Sequence, residues 1–512
     1  MNGADSLVHT MLASGVDTCF ANPGSSEMHF VSALDRIDGM RCVLVLFEGI
    51  ATGAADGYWR MAEKPAATLL HLGPGLANGL SNVHNARKAS SGMLNIIGEH
   101  ASWHLKHDAP LASDIEGLAR PLCHWVHTST SSSTVGRDAA NAIAMARRAQ
   151  IASLILPGDT AWNDGGVSTC APIANDTDNF DQDHVDAAAK ALLSGEKSML
   201  ILGGRSIRGR TLELAGQIAG KTGATLATQF FSARTERGAG RVKAFRIPYF
   251  VDPALEAMRE FRHLITAESR EPISFFAYPD KPSQMKNPDA LVTELCPIGH
   301  NGEAAMQALA DAVGAKPHHA THQTRDEEPL PTGELNQMSI ARILAALIPE
   351  NGIVVDESVT TGRESFGVTA GARPHDWLQN MGGSIGYGMP LSVGAAIACP
   401  DRHVLTLSGD GSAMYTLQAL WTQARENLTV TTLVFANRAY KILQVEFDGV
   451  GAGKPGEKAM SMMTIDNPAL DFVSLARGMG VPAHRVTTCE ELITALSRRL
   501  SEQGPGVIEV ML

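Results

Sequence analysis

Ser408-Gly409-Asp410-Gly411-Ser412 follows the apolar run Val404-Leu405-Thr406-Leu407, and Asn437 stands 27 positions after its aspartate, inside Phe435-Ala436-Asn437-Arg438-Ala439-Tyr440. Between them lie a helical pattern (Leu417, Leu420, Trp421, Ala424) and a second β-rich run, Thr429 to Phe435. The spacing predicts a βαβ unit with a ligand at the end of each strand, where open parallel sheets bind their ligands. Asp410 supplies a hard carboxylate oxygen and Asn437 a carbonyl oxygen. Such a set suits Mg2+, which takes few protein ligands and completes its shell with phosphate oxygens and water. Gly409 and Gly411 let backbone approach a diphosphate, and Ser412 opens a helix whose free N–H groups attract anions.

The chain around this unit has 512 residues, more than one core accommodates, which suggests about three domains. With 44% hydrophobic, 19% charged and 5% aromatic residues it has the composition of a globular α/β enzyme. Lys+Arg 42 against Asp+Glu 54 leaves a net charge of −12 with no basic run, which argues against a nucleic-acid partner. The seven cysteines are scattered without a Cys-x-x-Cys pair, as expected of reduced core thiols rather than disulfides or a zinc site. No basic-then-apolar N-terminus and no apolar run of membrane-spanning length is present, so a cytoplasmic protein without a membrane partner is expected.

Residues 1–165 alternate short apolar runs with helical patterns. Asp17 to Ala21 reads as a strand leading into Asn22-Pro23-Gly24-Ser25-Ser26-Glu27. Cys42 to Phe47 reads as a strand of the kind parallel sheets bury on both faces, with Glu48 at its end and a small-residue helix, Gly49 to Tyr58, after it. A carboxylate so placed is costly unless it has a partner or a task. The next strand, Ala67 to Leu70, ends in His71, and the glycines of Leu72-Gly73-Pro74-Gly75-Leu76-Ala77-Asn78-Gly79 let backbone crowd a ligand. The loop from His104 to Asp114 brings Pro110 and Leu111 towards the same pocket.

A polar, non-periodic linker covers 160–182. The unit at 183–315 contains the strand Met199 to Leu202 and Gly203-Gly204-Arg205, but no Gly-x-Gly-x-x-Gly. A second linker, 315–335, holds His318, His319 and His322, which lack the acidic or cysteine partners of a metal cluster. The unit at 335–512 then brings Asp356-Glu357-Ser358-Val359-Thr360-Thr361, whose hydroxyls suit phosphate oxygens, and Met381-Gly382-Gly383-Ser384-Ile385-Gly386-Tyr387-Gly388.

Gly409-Asp410-Gly411 with its spaced Asn437 resembles the thiamine-diphosphate (ThDP) motif of the 2-oxo acid decarboxylase and acetolactate synthase superfamily, and Phe47 to Tyr58 resembles that superfamily's catalytic-glutamate segment. Phe20 to Glu27 resembles the benzoylformate decarboxylase version of the preceding loop. His71 is similar to decarboxylases, whereas Gly73-Pro74-Gly75 is similar to acetolactate synthases. The resemblance implies an α/β fold of three parallel-sheet domains: pyrimidine-binding (1–165), middle (183–315) and diphosphate-binding (335–512). It implies ThDP and Mg2+, the metal held by Asp410, Asn437 and the Ala439 carbonyl. Glu48 would activate the aminopyrimidine, the Gly383 carbonyl and Ile385 would hold the cofactor bent, and Thr360, Gly409, Gly411, Ser412 and Asn78 would line it. Ser25 would bind the substrate carboxylate and His71 would move the product proton.

The implied reaction is decarboxylation of a 2-oxo acid through an enamine, with acetolactate-synthase-like carboligation as the alternative. The implied site lies between subunits of a homodimer or homotetramer. FAD, which acetolactate synthases carry in the middle domain, gains no support from Gly203-Gly204. Decarboxylases of this kind carry further catalytic histidines, and Phe275-Phe276-Ala277-Tyr278, where one would align, has none. A Rossmann-type oxidoreductase would need the missing fingerprint, and a catalytically silent ThDP-fold protein would not need Glu48, Asp410 and Asn437 together.

Overall fold

Runs such as Leu69-Leu70 and Ile96-Ile97 are apolar at successive positions, so both faces of their strands must be covered, and helices cover them. The structure, a computed structural model, describes residues 1–172 and 180–512. Six parallel strands, β1 (Thr18–Ala21), β2 (Arg41–Leu44), β3 (Ala66–Leu70), β4 (Met93–Glu99), β5 (Trp125–Thr128) and β6 (Ile151–Pro157), form the first sheet in the order β2-β1-β3-β4-β6-β5. The chain continues through β7 (Ser198–Leu202), β8 (Thr225–Thr228), β9 (Thr235–Arg237), β10 (Phe245–Arg246), β11 (His263–Ala267) and β12 (Leu291–Cys296). All of these except β9 form a second parallel sheet, β10-β8-β7-β11-β12. The third sheet joins β13 (Ile353–Glu357), β14 (His375–Gln379), β15 (Val404–Gly409), β16 (Val430–Ala436), β17 (Ala483–Val486) and β18 (Gly506–Met511) in the order β17-β18-β16-β15-β13-β14-β9. Among the described residues its only antiparallel member is β9, which crosses from the middle of the chain and pairs Thr235 with Trp377 and Arg237 with His375.

Two expectations change. The run Cys42 to Phe47 is not a strand buried on both faces: β2 ends at Leu44, lies at the sheet edge, and leaves Cys42 and Leu46 exposed. Val43 and Val45 are fully buried in the core and Phe47 packs partly buried against it, while the alternate positions of this edge strand turn outward. The glycines after His71, expected to let backbone crowd a ligand, are helical. They lie in the helix Leu72–Lys88, where Pro74 falls in the first turn and its missing N–H removes no helical bond. Added Cβ atoms at Gly73, Gly75 and Gly79 would meet Ser113, Glu48 and Thr52, so these glycines crowd the protein itself. Of the expected linker 160–182, residues 173–179 lie outside the described residues, while Ala171 N–H donates to Ser14 Oγ at 2.8 Å and ties its near end to the first sheet's domain.

The small-residue helix Glu48–Ala62 is buried almost throughout and packs on Gly388–Ala398 of the third domain. A Cβ at Gly57 would stand 2.0 Å from the Leu391 carbonyl oxygen, and one at Gly394 would stand 1.8 Å from that of Ala54. Backbone meets backbone here, so the site fixes how the first and third sheets sit. Gly394→Val should therefore destabilise the protein by about 1–3 kcal/mol or more, the usual cost of overpacking, as a lowered urea midpoint.

Candidate active site

β15 and β16 are parallel neighbours in register from Val404↔Val430 to Gly409↔Phe435, so Asp410 and Asn437 leave adjacent strands at their C-terminal ends. Asp410 is buried at the start of the helix Asp410–Ala413. Its Oδ1 accepts from Gly411 N–H at 2.8 Å and its Oδ2 from Arg438 N–H at 2.6 Å. Burial raises its carboxyl above the ordinary aspartate value, against those two N–H groups. Asn437 is half-buried, and its Oδ1 accepts from Ala439 N–H at 3.0 Å. Arg438 between them takes φ +55, turning the chain so that its N–H reaches Asp410. A Cβ at Gly409 would meet only Ser412 Oγ, at 3.9 Å, which leaves open space beside the strand end. Gly411 differs: its missing Cβ makes room for the Tyr440 ring.

Next to this pair stands the loop before Gly388. Glu357, buried at the end of β13, accepts from three backbone N–H groups of that loop, Gly386 at 2.6 Å, Tyr387 at 3.1 Å and Gly388 at 3.0 Å. Its burial pushes the carboxyl up to about 7, with the three donors pulling the other way. From the other side Asn85 Nδ2 donates to the Ser384 carbonyl at 2.9 Å, and a His84 ring nitrogen lies 3.0 Å from that of Gly382. Gly383 takes φ +78, and Ile385 is half-buried between these clamps. Thr360 follows β13 in a turn where Val359 takes φ +49.

The first sheet gathers a second group at its strand ends. Glu27 is buried after β1, and its Oε2 accepts from Gly24 N–H at 2.8 Å and lies 2.8 Å from His71 Nδ1. A carboxylate accepting at Nδ1 holds the proton on that nitrogen and leaves Nε2 as the reactive one. Two glycines make the room: a Cβ at Gly24 would run into the His71 ring, and one at Gly98 into Glu27 Oε1. That Oε1 is buried and has no partner. Ser25 is exposed on the adjoining turn. Glu48 is buried at the first position of its helix, and Asn78 Nδ2 donates to its Oε2 at 3.0 Å, so Asn78 serves the glutamate directly. Among the described residues no hydrogen bond links Glu48, Ser25 or His71 to the Asp410–Asn437 pair.

Residues 1–118 match the family described as thiamine pyrophosphate enzyme, N-terminal TPP binding domain, and residues 364–510 match its C-terminal TPP binding domain. The chain belongs to the ThDP enzyme family, among the decarboxylases and acetolactate synthases. It is 49% identical, over all of its length and 99% of the relative's, to a protein of Mycobacterium tuberculosis provisionally named acetolactate synthase large subunit IlvX. It is 28% identical to the benzoylformate decarboxylase of Pseudomonas aeruginosa, covering 97% of this chain and 96% of that one. In fold it is similar to the ThDP-dependent 4-hydroxybenzoylformate decarboxylase of Rhodococcus jostii RHA1, with a TM-score of 0.85, 24% identity and coverage of 100% and 99%.

The residues fit the ThDP family's cofactor and metal. Asp410, Asn437 and the Ala439 carbonyl, which accepts no hydrogen bond among the described residues, offer one carboxylate, one amide and one backbone oxygen. No group of three His, Cys, Asp or Glu side chains among the described residues offers a metal site of another kind. The strand ends of the middle sheet hold a buried acidic side chain of their own. Beyond β7 and β11 the buried carboxyl of Glu268 fills the strand-end crevice, accepts from Ser206 Oγ at 2.9 Å, and crowds Gly204 and Gly302. Among the described residues no helix is long and apolar enough to cross a membrane.

Sequence reading missed Glu27 and Glu357, which hold the candidate site's His71 and its Gly386–Gly388 loop. The signal for Glu27 is the distant Gly98 that makes space for it, and Glu357 has no local signal between Asp356 and Ser358. Because Glu357 holds its proton more tightly folded than unfolded, its contribution to stability is complete below the ordinary value of 4.5 and is lost as pH rises through about 7. Glu357→Gln, which cannot ionise, should gain on wild type by on the order of 1–3 kcal/mol between pH 5 and pH 8. Urea midpoints measure this, and a pH-independent difference would mean that the three N–H donors keep the group ionised.

Proposed function

We propose that this chain decarboxylates a 2-oxo acid, with ThDP and Mg2+ held where the first domain of one subunit meets the third domain of another in a homo-oligomer. On this reading the three sheets are the cores of a pyrimidine-binding domain (1–165), a middle domain (183–315) that lends β9 to its neighbour, and a diphosphate-binding domain (335–512). Asp410, Asn437 and the Ala439 carbonyl bind the cation, and Thr360, Gly409, Gly411 and Ser412 surround the diphosphate. The Gly383 carbonyl and Ile385 seat the pyrimidine. When bound, ThDP supplies the electron sink for losing CO2.

The chain's own residues then handle position and protons. Glu48, steered by Asn78, presents its carboxyl to the pyrimidine nitrogen. Ser25 offers an exposed hydroxyl to the substrate carboxylate. The observation that carries the decarboxylase reading is the Glu27–His71 pair, because it fixes Nδ1 and commits Nε2 to giving the product its proton. The name of the 49% identical relative favours a second reading, in which a second carbonyl compound captures the activated fragment before a proton reaches it.

A panel of 2-oxo acids with ThDP and Mg2+, read for CO2 and for both aldehyde and ligated products, separates the two. His71→Ala should lower aldehyde release about a hundredfold to ten-thousandfold without weakening ThDP binding. Ligated products in wild type, with release untouched by the substitution, would establish the carboligase instead. Glu48→Gln should keep ThDP bound while slowing exchange of its C2 proton with D2O by orders of magnitude. Exchange at the wild-type rate, followed by NMR, would reduce Glu48 to a helix-end residue.

A further inference from the structure

Residues 272–285 form a strap that leaves the middle sheet after β11. Its two arms are joined by Ser274 N–H donating to the Ser283 carbonyl at 2.8 Å and Met285 N–H donating to that of Pro272 at 2.9 Å. The tip crosses onto the third domain and is fixed there at two points. Phe275 rests on Gly383, where any Cβ would stand 2.6 Å from its Cζ. Tyr278 donates its hydroxyl to Glu446 Oε2 at 3.0 Å, on the helix Lys441–Gly449 that follows Asn437 and Ala439. The strap thus spans from the Gly383 loop to the segment just after the proposed metal residues.

The tip is aromatic and backed by more aromatics. Phe275 packs against Phe231 and Tyr249 at ring-centroid distances of 6.0 and 5.8 Å, so its ring is held from behind. Phe276 meets Phe275 edge-on at 4.9 Å. Both nevertheless remain uncovered, Phe275 43% and Phe276 47% exposed. Adjacent phenylalanines left bare on a rigid support are what a site for an apolar group requires. From Ser274 to Tyr278 the tip carries no charge, so an ionised group arriving there would lose water without gaining a partner.

We propose that Phe275 and Phe276 form the wall against which the substrate's side chain packs, selecting 2-oxo acids with a bulky apolar side chain over pyruvate. The inference rests on the reading of Gly383, Asp410 and Asn437 as cofactor residues, and it deepens that reading by assigning the substrate class. Covering a branched or aromatic side chain, where a methyl group covers little, favours the larger substrate about tenfold to a hundredfold.

The test compares kcat/KM for 4-methyl-2-oxopentanoate, benzoylformate and pyruvate in the full-length protein with ThDP and Mg2+, for wild type, Phe276→Ala and Phe276→Leu. Phe276 is the residue to change because Phe275, not Phe276, packs on Gly383. Phe276→Ala should lower the two bulky substrates about tenfold to a hundredfold and leave pyruvate unchanged, with Phe276→Leu restoring much of the loss for the branched substrate. Exchange of the ThDP C2 proton should stay at the wild-type rate in both variants. A wild-type preference for pyruvate, an equal loss on all three substrates, no loss, or no turnover of any of them overturns the wall. Failure of wild type to exchange the C2 proton would instead remove the cofactor reading, and this inference with it.

Discussion

The contact on which the molecule most depends is the one where two helices touch through their backbones. Gly53, Gly57 and Gly394 bring Glu48–Ala62 and Gly388–Ala398 closer than side chains permit. That approach sets the first domain against the third. It also carries proposed site residues at its ends, because Glu48 opens one helix and the Gly383–Gly388 loop leads into the other. Arg60, deep in the first helix, extends the same joint: it pairs with Asp56 at 2.7 Å and donates to the Gln379 carbonyl at the end of β14 at 2.6 Å. A charge so deeply buried is offset by four hydrogen bonds, two to Asp56 and one each to the Ala233 and Gln379 carbonyls.

A second regularity runs through all three sheets. Carboxylic acids collect where parallel strands end: Glu27 after β1, Glu99 on β4, Glu268 after β11, Glu357 on β13 and Asp410 after β15, all buried. Burial raises the carboxyls of Glu99, Glu268, Glu357 and Asp410 alike. They differ in what faces them. Glu357 meets three N–H groups and acts as a clasp, Glu268 meets a hydroxyl and plugs a crevice, and Asp410 meets two N–H groups beside open space. Similar groups at similar places thus serve three ends, according to how many donors the neighbouring backbone supplies.

The family, the α/β class and the placement of Asp410 and Asn437 were legible in sequence, because a Gly-Asp-Gly between an apolar run and a helical period constrains strand, turn and helix together. What resisted reading depends on distant partners. The Cys42–Phe47 run looks like a central strand until its neighbours are known, since the apolar pattern of an edge strand differs only in what covers it. The glycines after His71 signal close approach in either case, and nothing local says whether a ligand or another helix approaches. The Glu27–His71 pair joins residues 44 apart, and the strap on Gly383 joins residues from different domains.

The excursion of β9 bears on how such a chain can be divided. Three residues from the middle of the sequence cover the flank of β14, which would otherwise present a bare row of N–H and C=O groups. An uncovered edge of that kind recruits strands from other molecules. Excising the middle segment as an independent module would therefore harm a neighbour it does not enclose, leaving the third sheet prone to self-association. The chain is modular in its sheets but not in its cut points.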